Sequence, residues 1–118
     1  MFRTLALIAA LSSGPLSAQK LAPHYMTAQE WLTKWESSDF SEQAQATGYA
    51  EGAADGLSAI FELAETRNDV ICFPENSTSG QIAAAGAKHV KDNPVLWNYP
   101  AASALIVAWA ETWPCSPD

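Results

Sequence analysis

The segment at residues 100–115, PAASALIVAWAETWPC, is the feature that most constrains the fold of this chain. Between residues 101 and 113 it is apolar on nearly every side of a helix, and Glu111 is its only charged residue. A helix that is hydrophobic all round lies among other helices. Pro100 stands at its start, where the first helical position tolerates proline. The sequence therefore predicts a central bundle helix that ends beside Cys115.

Two other helices begin with the spacing of a capping box, in which Ser or Thr is followed three residues later by Glu or Gln. Thr27 and Thr78 both fit this pattern. We expect the first of these helices to end near residues 37–39, which read Ser-Ser-Asp, and the second to end at the Asn-Pro pair of residues 93 and 94. No segment shows a convincing strand pattern.

The longest predicted helix covers residues 41–65, and its faces separate at 100° per residue. One arc is apolar and is expected to face the core: Ala46, Tyr49, Ala50, Ala53, Leu57, Ile60, Phe61 and Ala64. The adjoining arc is typical of a solvated face: Glu51, Asp55, Ser58, Glu62 and Glu65. We therefore predict an all-α fold, a small bundle of four principal helices, with a core that includes Tyr49, Leu57, Phe61, Ile82, Leu105, Ile106 and Trp109.

Gly48, Gly52 and Gly56 form a third strip on the same helix. Each glycine costs about 1 kcal/mol relative to alanine in a helix, so a compensating reason is expected. The usual reason is the close approach of another backbone. We favour packing against the helix that ends at Trp113, and contact with a partner chain is the alternative.

Residues 1–18 have the layout of a secretory signal peptide: a positive charge at Arg3, an apolar run, a Gly-Pro break and small residues before a cleavage point after Ala18. The apolar run is far shorter than the roughly 20 residues that a membrane anchor requires. We therefore predict an exported domain at residues 19–118, located in the periplasm and not inserted in the membrane after cleavage.

Export would place the two cysteines in an oxidising compartment, where disulfides form. An exported domain with two cysteines most simply pairs them, so we predict a disulfide between Cys72 and Cys115. Such a bond stabilises a small domain by roughly 4 kcal/mol in the chain-entropy account. A metal site is the weaker interpretation, because the cysteines lack CxxC spacing and the two histidines are scattered.

Charge and motif content exclude several functions. Without Arg3 the chain has five basic residues against thirteen acidic ones, a net charge of −8, so nucleic acid and anionic lipid are poor partners. His24 and His89 have no nucleophile placed beside them by a known motif, and no phosphate-binding or metal-binding pattern is present. We predict a binding module without catalytic residues, metal or cofactor, and not an enzyme.

Four stretches in order, TAQEWLTKW, ATGYAEGAADGL, ICFPENSTSGQ and HVKDNPVLWNYPAASALIVAWAETWPC, resemble the Rap/Tai family of periplasmic immunity proteins. The resemblance covers about residues 26–115. It implies a protein that binds a cell-wall amidase delivered by type VI secretion, blocks its substrate cleft without chemistry of its own, and often acts as a dimer. An acidic surface would speed its encounter with a basic cleft.

The chain departs from the family pattern at one place. A further cysteine pair that is common in the family corresponds here to Lys34 or Trp35 and to Ala46. Both cysteines are missing together, as expected for the loss of a whole disulfide.

The predicted partner-binding surface combines two segments that interrupt helices, Glu75, Asn76 and Ser77 with Asn93, Leu96, Trp97 and Asn98. Trp97 has an alternative role as a cover over the end of the bundle. The other hypotheses for the whole chain are a small periplasmic acid-stress chaperone and another envelope protein-binding module.

Overall fold

The computed structural model describes residues 25–67 and 69–116. These residues form four α-helices and one short 3-10 turn: α1, Ala28–Glu36; α2, Phe40–Leu63; α3, Ser79–Asp92; the turn Pro94–Leu96; and α4, Ala101–Thr112. Within these ranges there is no β-strand, only two isolated bridges. The predicted all-α bundle of four principal helices is therefore confirmed. The predicted signal peptide and His24 lie outside the described residues.

Side chains cap the first three helices where the sequence places capping residues. Both predicted capping boxes are present, at Thr27 and Thr78, and each cap side chain accepts a hydrogen bond from the backbone N–H three residues later. At the start of α2 the Asp39 carboxylate accepts from the backbone N–H of Ser41 at 2.8 Å. These bonds satisfy N–H groups that the first turn of a helix leaves unpaired. The C-caps of helices α1 and α3 are Ser37 and Asn93, where the sequence predicts these helices to end.

Helix α4 is capped from another helix. Pro100 is its N-cap rather than its first helical residue, so the helix begins one residue later than predicted, and Pro100 makes no side-chain capping bond. The Tyr49 hydroxyl of α2 accepts a hydrogen bond from the backbone N–H of Ala102 at 3.1 Å, and the Met26 carbonyl accepts from Ala101 at 2.7 Å. Two N–H groups of α4 therefore depend on tertiary contacts.

The core is built around two fully buried tryptophans on facing elements. The Trp31 indole N–H donates to the Ala46 carbonyl at 2.9 Å, and the Trp109 indole N–H donates to the Ile82 carbonyl at 3.0 Å. Each bond satisfies a polar group that burial would otherwise leave unpaired. The remaining core consists mainly of alanines, with Leu32, Ile71, Val90 and Leu105 as its larger aliphatic side chains.

The predicted core residues have three outcomes. Leu105 and Trp109 are fully buried, as predicted. Four others are partly buried and pack against the core: Tyr49, Leu57, Ile82 and Ile106. Phe61 is partly buried but does not belong to that packed cluster, and Ile60, placed on the core arc by periodicity, is 63% exposed. The predicted core arc is wrong at the C-terminal end of α2. This helix has 24 residues, whereas α1, α3 and α4 have 9, 14 and 12 residues, so its last turns lack a helix to cover them.

The favoured explanation of the glycine strip is wrong. A Cβ placed on Gly48, Gly52 or Gly56 would meet nothing within 4 Å outside its own helix turn, so no backbone approaches this strip closely. Gly86 on α3 is different, because a Cβ there would overlap the side chain of the buried Leu105 on α4. The close helix contact of this bundle therefore lies between α3 and α4.

Helices α1 and α3 are also joined by an exposed ion pair. The Lys91 ammonium lies 2.7 Å from a Glu36 carboxylate oxygen. The hydrogen bond to Glu36, and then its negative charge, raise the pKa of Lys91 above the ordinary lysine value. Exposed pairs of this kind add little to stability.

Candidate partner-binding site

The loop before α3 is a tight turn with an exposed tip. The Pro74 carbonyl accepts hydrogen bonds from both the backbone N–H and the hydroxyl of Ser77, which closes the turn over Glu75 and Asn76. Asn76 has a φ of 64°, in the left-handed region that asparagine tolerates better than most residues. Glu75 and Asn76 are exposed, whereas Ser77 is half-buried. The turn fixes the backbone that carries these two side chains.

The base of this loop is attached to the end of the chain. Cys72 and Cys115 form the predicted disulfide, with their Cα atoms 5.0 Å apart. The Cys72 N–H donates to the Trp113 carbonyl at 2.9 Å, and a bridge joins Ile71 to Pro114. This attachment explains why the apolar α4 is followed at once by a cysteine: the bond ties the end of the central helix to the loop.

Aromatic packing reinforces the same base. Phe73 makes edge contacts with Trp109 and Trp113, with ring centroids 5.4 and 5.6 Å apart. The loop is thus held by a disulfide, backbone hydrogen bonds and three aromatic rings. A loop fixed in this way loses less conformational entropy on binding than a free one.

The connector after α3 is divided between structural and exposed residues. The Trp97 indole N–H donates to the Val90 carbonyl at 2.8 Å, and both Trp97 and Leu96 pack against the core. The Asn93 side chain donates to the His89 carbonyl at 2.8 Å and so completes the end of α3. Trp97 therefore covers the end of the bundle, and of the predicted connector residues only Asn98 is exposed.

The structure separates the two predicted segments. The loop precedes the first residue of α3 and the connector follows its last residue. Helix α3 has 14 residues, so the two segments lie about 20 Å apart at opposite ends of it. A partner would have to span α3 to contact both, and the loop and the connector are therefore two separate candidate surfaces.

An apolar groove beside the connector was missed by the sequence analysis. It has a volume of about 530 Å³ and is lined by Val95, Leu96, Tyr99, Ser103, Ala104 and Val107. Val95 is 78% exposed and Val107 is 41% exposed. The sequence of helix α4 suggests a helix surrounded on every side, but one side of it is open. Ser103, the polar residue in its first half, is the signal that marks the open side.

Charged groups near the histidine do not form a recognisable reaction centre. His89 Nε2 lies 3.1 Å from a Glu111 carboxylate oxygen, which links α3 to α4 when the imidazole is protonated. Among the described residues no group of three or more His, Cys, Asp or Glu side chains could hold a metal ion. Over the same residues, no helix combines the length and apolarity that crossing a bilayer would take.

These features define a class of protein. A small helical bundle carries a disulfide-anchored polar loop and an acidic surface, a construction that suits binding of another protein. A comparison with family models gives the particular family: the model of the Rap1a immunity proteins matches residues 17–115, and the chain belongs to that family. No curated protein and no solved structure matches it. Members of an immunity family generally act by binding an effector protein rather than by catalysis.

Proposed function

We propose that this protein is a periplasmic immunity protein that binds a peptidoglycan amidase delivered by type VI secretion and occludes its substrate cleft. The observation that carries the proposal is the family match over residues 17–115. The signal-peptide layout of residues 1–18 supports export, because the amidase and its peptidoglycan substrate meet in the same compartment. The proposal includes a homodimer, because the family that the sequence resembles often acts as dimers.

The loop of residues 74–77 is the segment proposed to enter the cleft. Its tip offers one carboxylate, Glu75, and one amide, Asn76, on a turn whose backbone is already fixed. Its polar side chains can pair with groups that the amidase uses to hold peptidoglycan, and its base is too strongly tied to be displaced. Substrate access is then blocked without a covalent step.

Binding to a peptidoglycan amidase encoded by a neighbouring gene would test the proposal. The exported chain should inhibit peptidoglycan cleavage by that enzyme at a stoichiometric ratio, and periplasmic pull-down should recover a peptidoglycan hydrolase. If the chain neither binds nor inhibits the hydrolase, the proposal is wrong. Acid-triggered protection of unfolded clients, without hydrolase binding, would instead favour the chaperone hypothesis.

Variants at the two candidate segments separate loop from connector. Glu75→Ala removes the loop carboxylate, and Asn76→Gly removes the amide while keeping a residue that accepts positive φ. Both should weaken inhibition at least tenfold with a nearly unchanged thermal midpoint. Asn98→Ala is the matched change on the connector. If Asn98→Ala weakens inhibition and the loop variants do not, the connector is the inhibitory segment. Trp97 is unsuitable for this test because it packs against the core, so its replacement is expected to lower stability as well.

A further inference from the structure

The second half of α2 is an uncovered part of the bundle. In residues 51–63 no side chain is fully buried, although residues 28, 31 and 32 of α1 and several of α3 and α4 are. Leu63 is 86% exposed and Ile60 is 63% exposed. Glu51, Asp55 and Glu62 are also exposed. These five residues spread over about half of the circumference of the helix, and we call this exposed half the outer face of α2.

Several local features of the outer face work against helix stability. Gly52 and Gly56 lie in the helix interior with nothing packed against them. Glu62 is in the last turn, where the helix dipole favours a positive charge, and α2 has no basic residue there. Helices α1 and α3, in contrast, each begin with a capping box. Several residues that disfavour the local structure occur together mainly at functional sites.

The end of α2 adds a strained backbone. Thr66 N–H donates to the Phe61 carbonyl and Glu65 N–H donates to the Glu62 carbonyl, the two bonds of a Schellman motif. This motif usually places glycine in its left-handed position, but here Glu65 occupies it with a φ of 52°. Strained positions of this kind are concentrated at binding and switching sites.

Charge decides which occupant fits this surface. Residues 40–63 contain four acidic side chains and no lysine or arginine. A second copy of the chain would bring like charges together along this helix, which opposes association. A partner with basic side chains around an apolar patch satisfies both the carboxylates and Leu63. The groove beside the connector, in contrast, is lined by uncharged residues and gives no indication of its occupant.

We propose that the outer face of α2 is a second docking surface, on which the effector places an apolar patch rimmed by lysine or arginine side chains. This inference rests on the proposed function, because the partner is the same effector that the loop inhibits. The glycines allow its backbone or side chains to approach the helix closely, and the carboxylates attract it before contact. The loop then blocks the cleft while α2 contributes association rate and affinity.

Association kinetics between the exported chain and the purified effector test the inference. Glu62→Lys should reduce the association rate about tenfold at low salt and flatten its dependence on ionic strength. Leu63→Ser should raise the dissociation rate about tenfold, because an exposed apolar anchor is lost. The matched control is Glu42→Lys, the same change of charge at the other end of α2. It should leave both rates within twofold of the wild-type values.

A second measurement separates docking from stability. Glu62→Lys places a favourable charge at the end of α2, so its thermal midpoint should rise while its binding weakens. The inference is overturned if the effector binds the wild-type chain and both α2 variants equally well, a result that leaves the proposed function intact. It is also overturned if Leu63→Ser abolishes self-association in sedimentation experiments while effector binding is unchanged. Failure of the wild-type chain to bind refutes the proposed function as well.

Discussion

Replacing Gly86 by alanine tests the packing between α3 and α4 with a single methyl group. In an open helix position this change stabilises a protein by about 1 kcal/mol, since alanine is the better helix former. At Gly86 the new methyl would overlap Leu105, which is fully buried and cannot move into solvent. Inserting a methyl into a packed core costs about 1 to 3 kcal/mol. The net expectation is a loss of about 1 kcal/mol.

Gly48→Ala is the matched control, because nothing lies within 4 Å of a Cβ at that position. It should gain about 1 kcal/mol, so the two alanine variants should differ by about 2 kcal/mol. In a domain of this size each kcal/mol shifts the thermal midpoint by about 4 to 8 °C. Circular dichroism melts at neutral pH would therefore place the midpoint of Gly48→Ala above that of the wild-type protein and the midpoint of Gly86→Ala below it.

A third variant checks the cause of the difference. Leu105→Val shortens the side chain that the new methyl would meet, so it should cost less stability in the Gly86→Ala background than in the wild-type protein. The reasoning is refuted if Gly86→Ala is as stable as Gly48→Ala. A loss of stability in Gly48→Ala would show that the glycine strip is packed in an assembly of chains.

Three other predictions concern caps and cross-links. Tyr49→Phe removes the hydroxyl that caps α4 and should lower the free energy of unfolding by about 0.5 to 1.5 kcal/mol in urea titrations, with an unchanged m-value. Reduction of the Cys72–Cys115 bond should cost about 2 to 5 kcal/mol, and a double serine variant should melt at the same lower temperature with or without reductant. Because Glu36 raises the pKa of Lys91, this pair contributes stability below the ordinary lysine pKa of about 10.4 and loses it as pH rises through the higher folded value. The difference in thermal midpoint between the wild-type protein and Lys91→Met should therefore be constant from neutral pH to about pH 9 and shrink above pH 10.5.

Local signals in the sequence predicted the helix boundaries well. The capping boxes at Thr27 and Thr78 depend on residues three positions apart, so the information lies within each segment. The Cys72–Cys115 disulfide was predicted from an expected compartment and a count of two cysteines. The presence of the helices and of the disulfide could therefore be predicted from the sequence without knowing how the helices pack.

Burial at the ends of elements could not be read in this way. Ile60 lies on the predicted core arc of α2 and Val107 lies on a helix that is apolar nearly all round, and both are exposed because the neighbouring elements do not reach them. Trp97 showed the opposite problem, since an aromatic residue in a connector fits both an interface and a cap over the bundle. These outcomes depend on the relative lengths and positions of helices, which no single segment encodes.

The distribution of local stability separates the scaffold from the surfaces proposed to bind. Helices α1 and α3 combine capping boxes with buried faces, and the two buried tryptophans have satisfied indole groups. The left-handed residues of the described chain other than glycine, Glu65 and Asn76, lie at the end of α2 and at the tip of the loop. Backbone strain at those two places needs a rigid support, and the Cys72–Cys115 bond provides it for the loop. Capped helices and a disulfide offset the free-energy cost of holding binding residues in unfavourable backbone conformations, and this allows a small domain to present them.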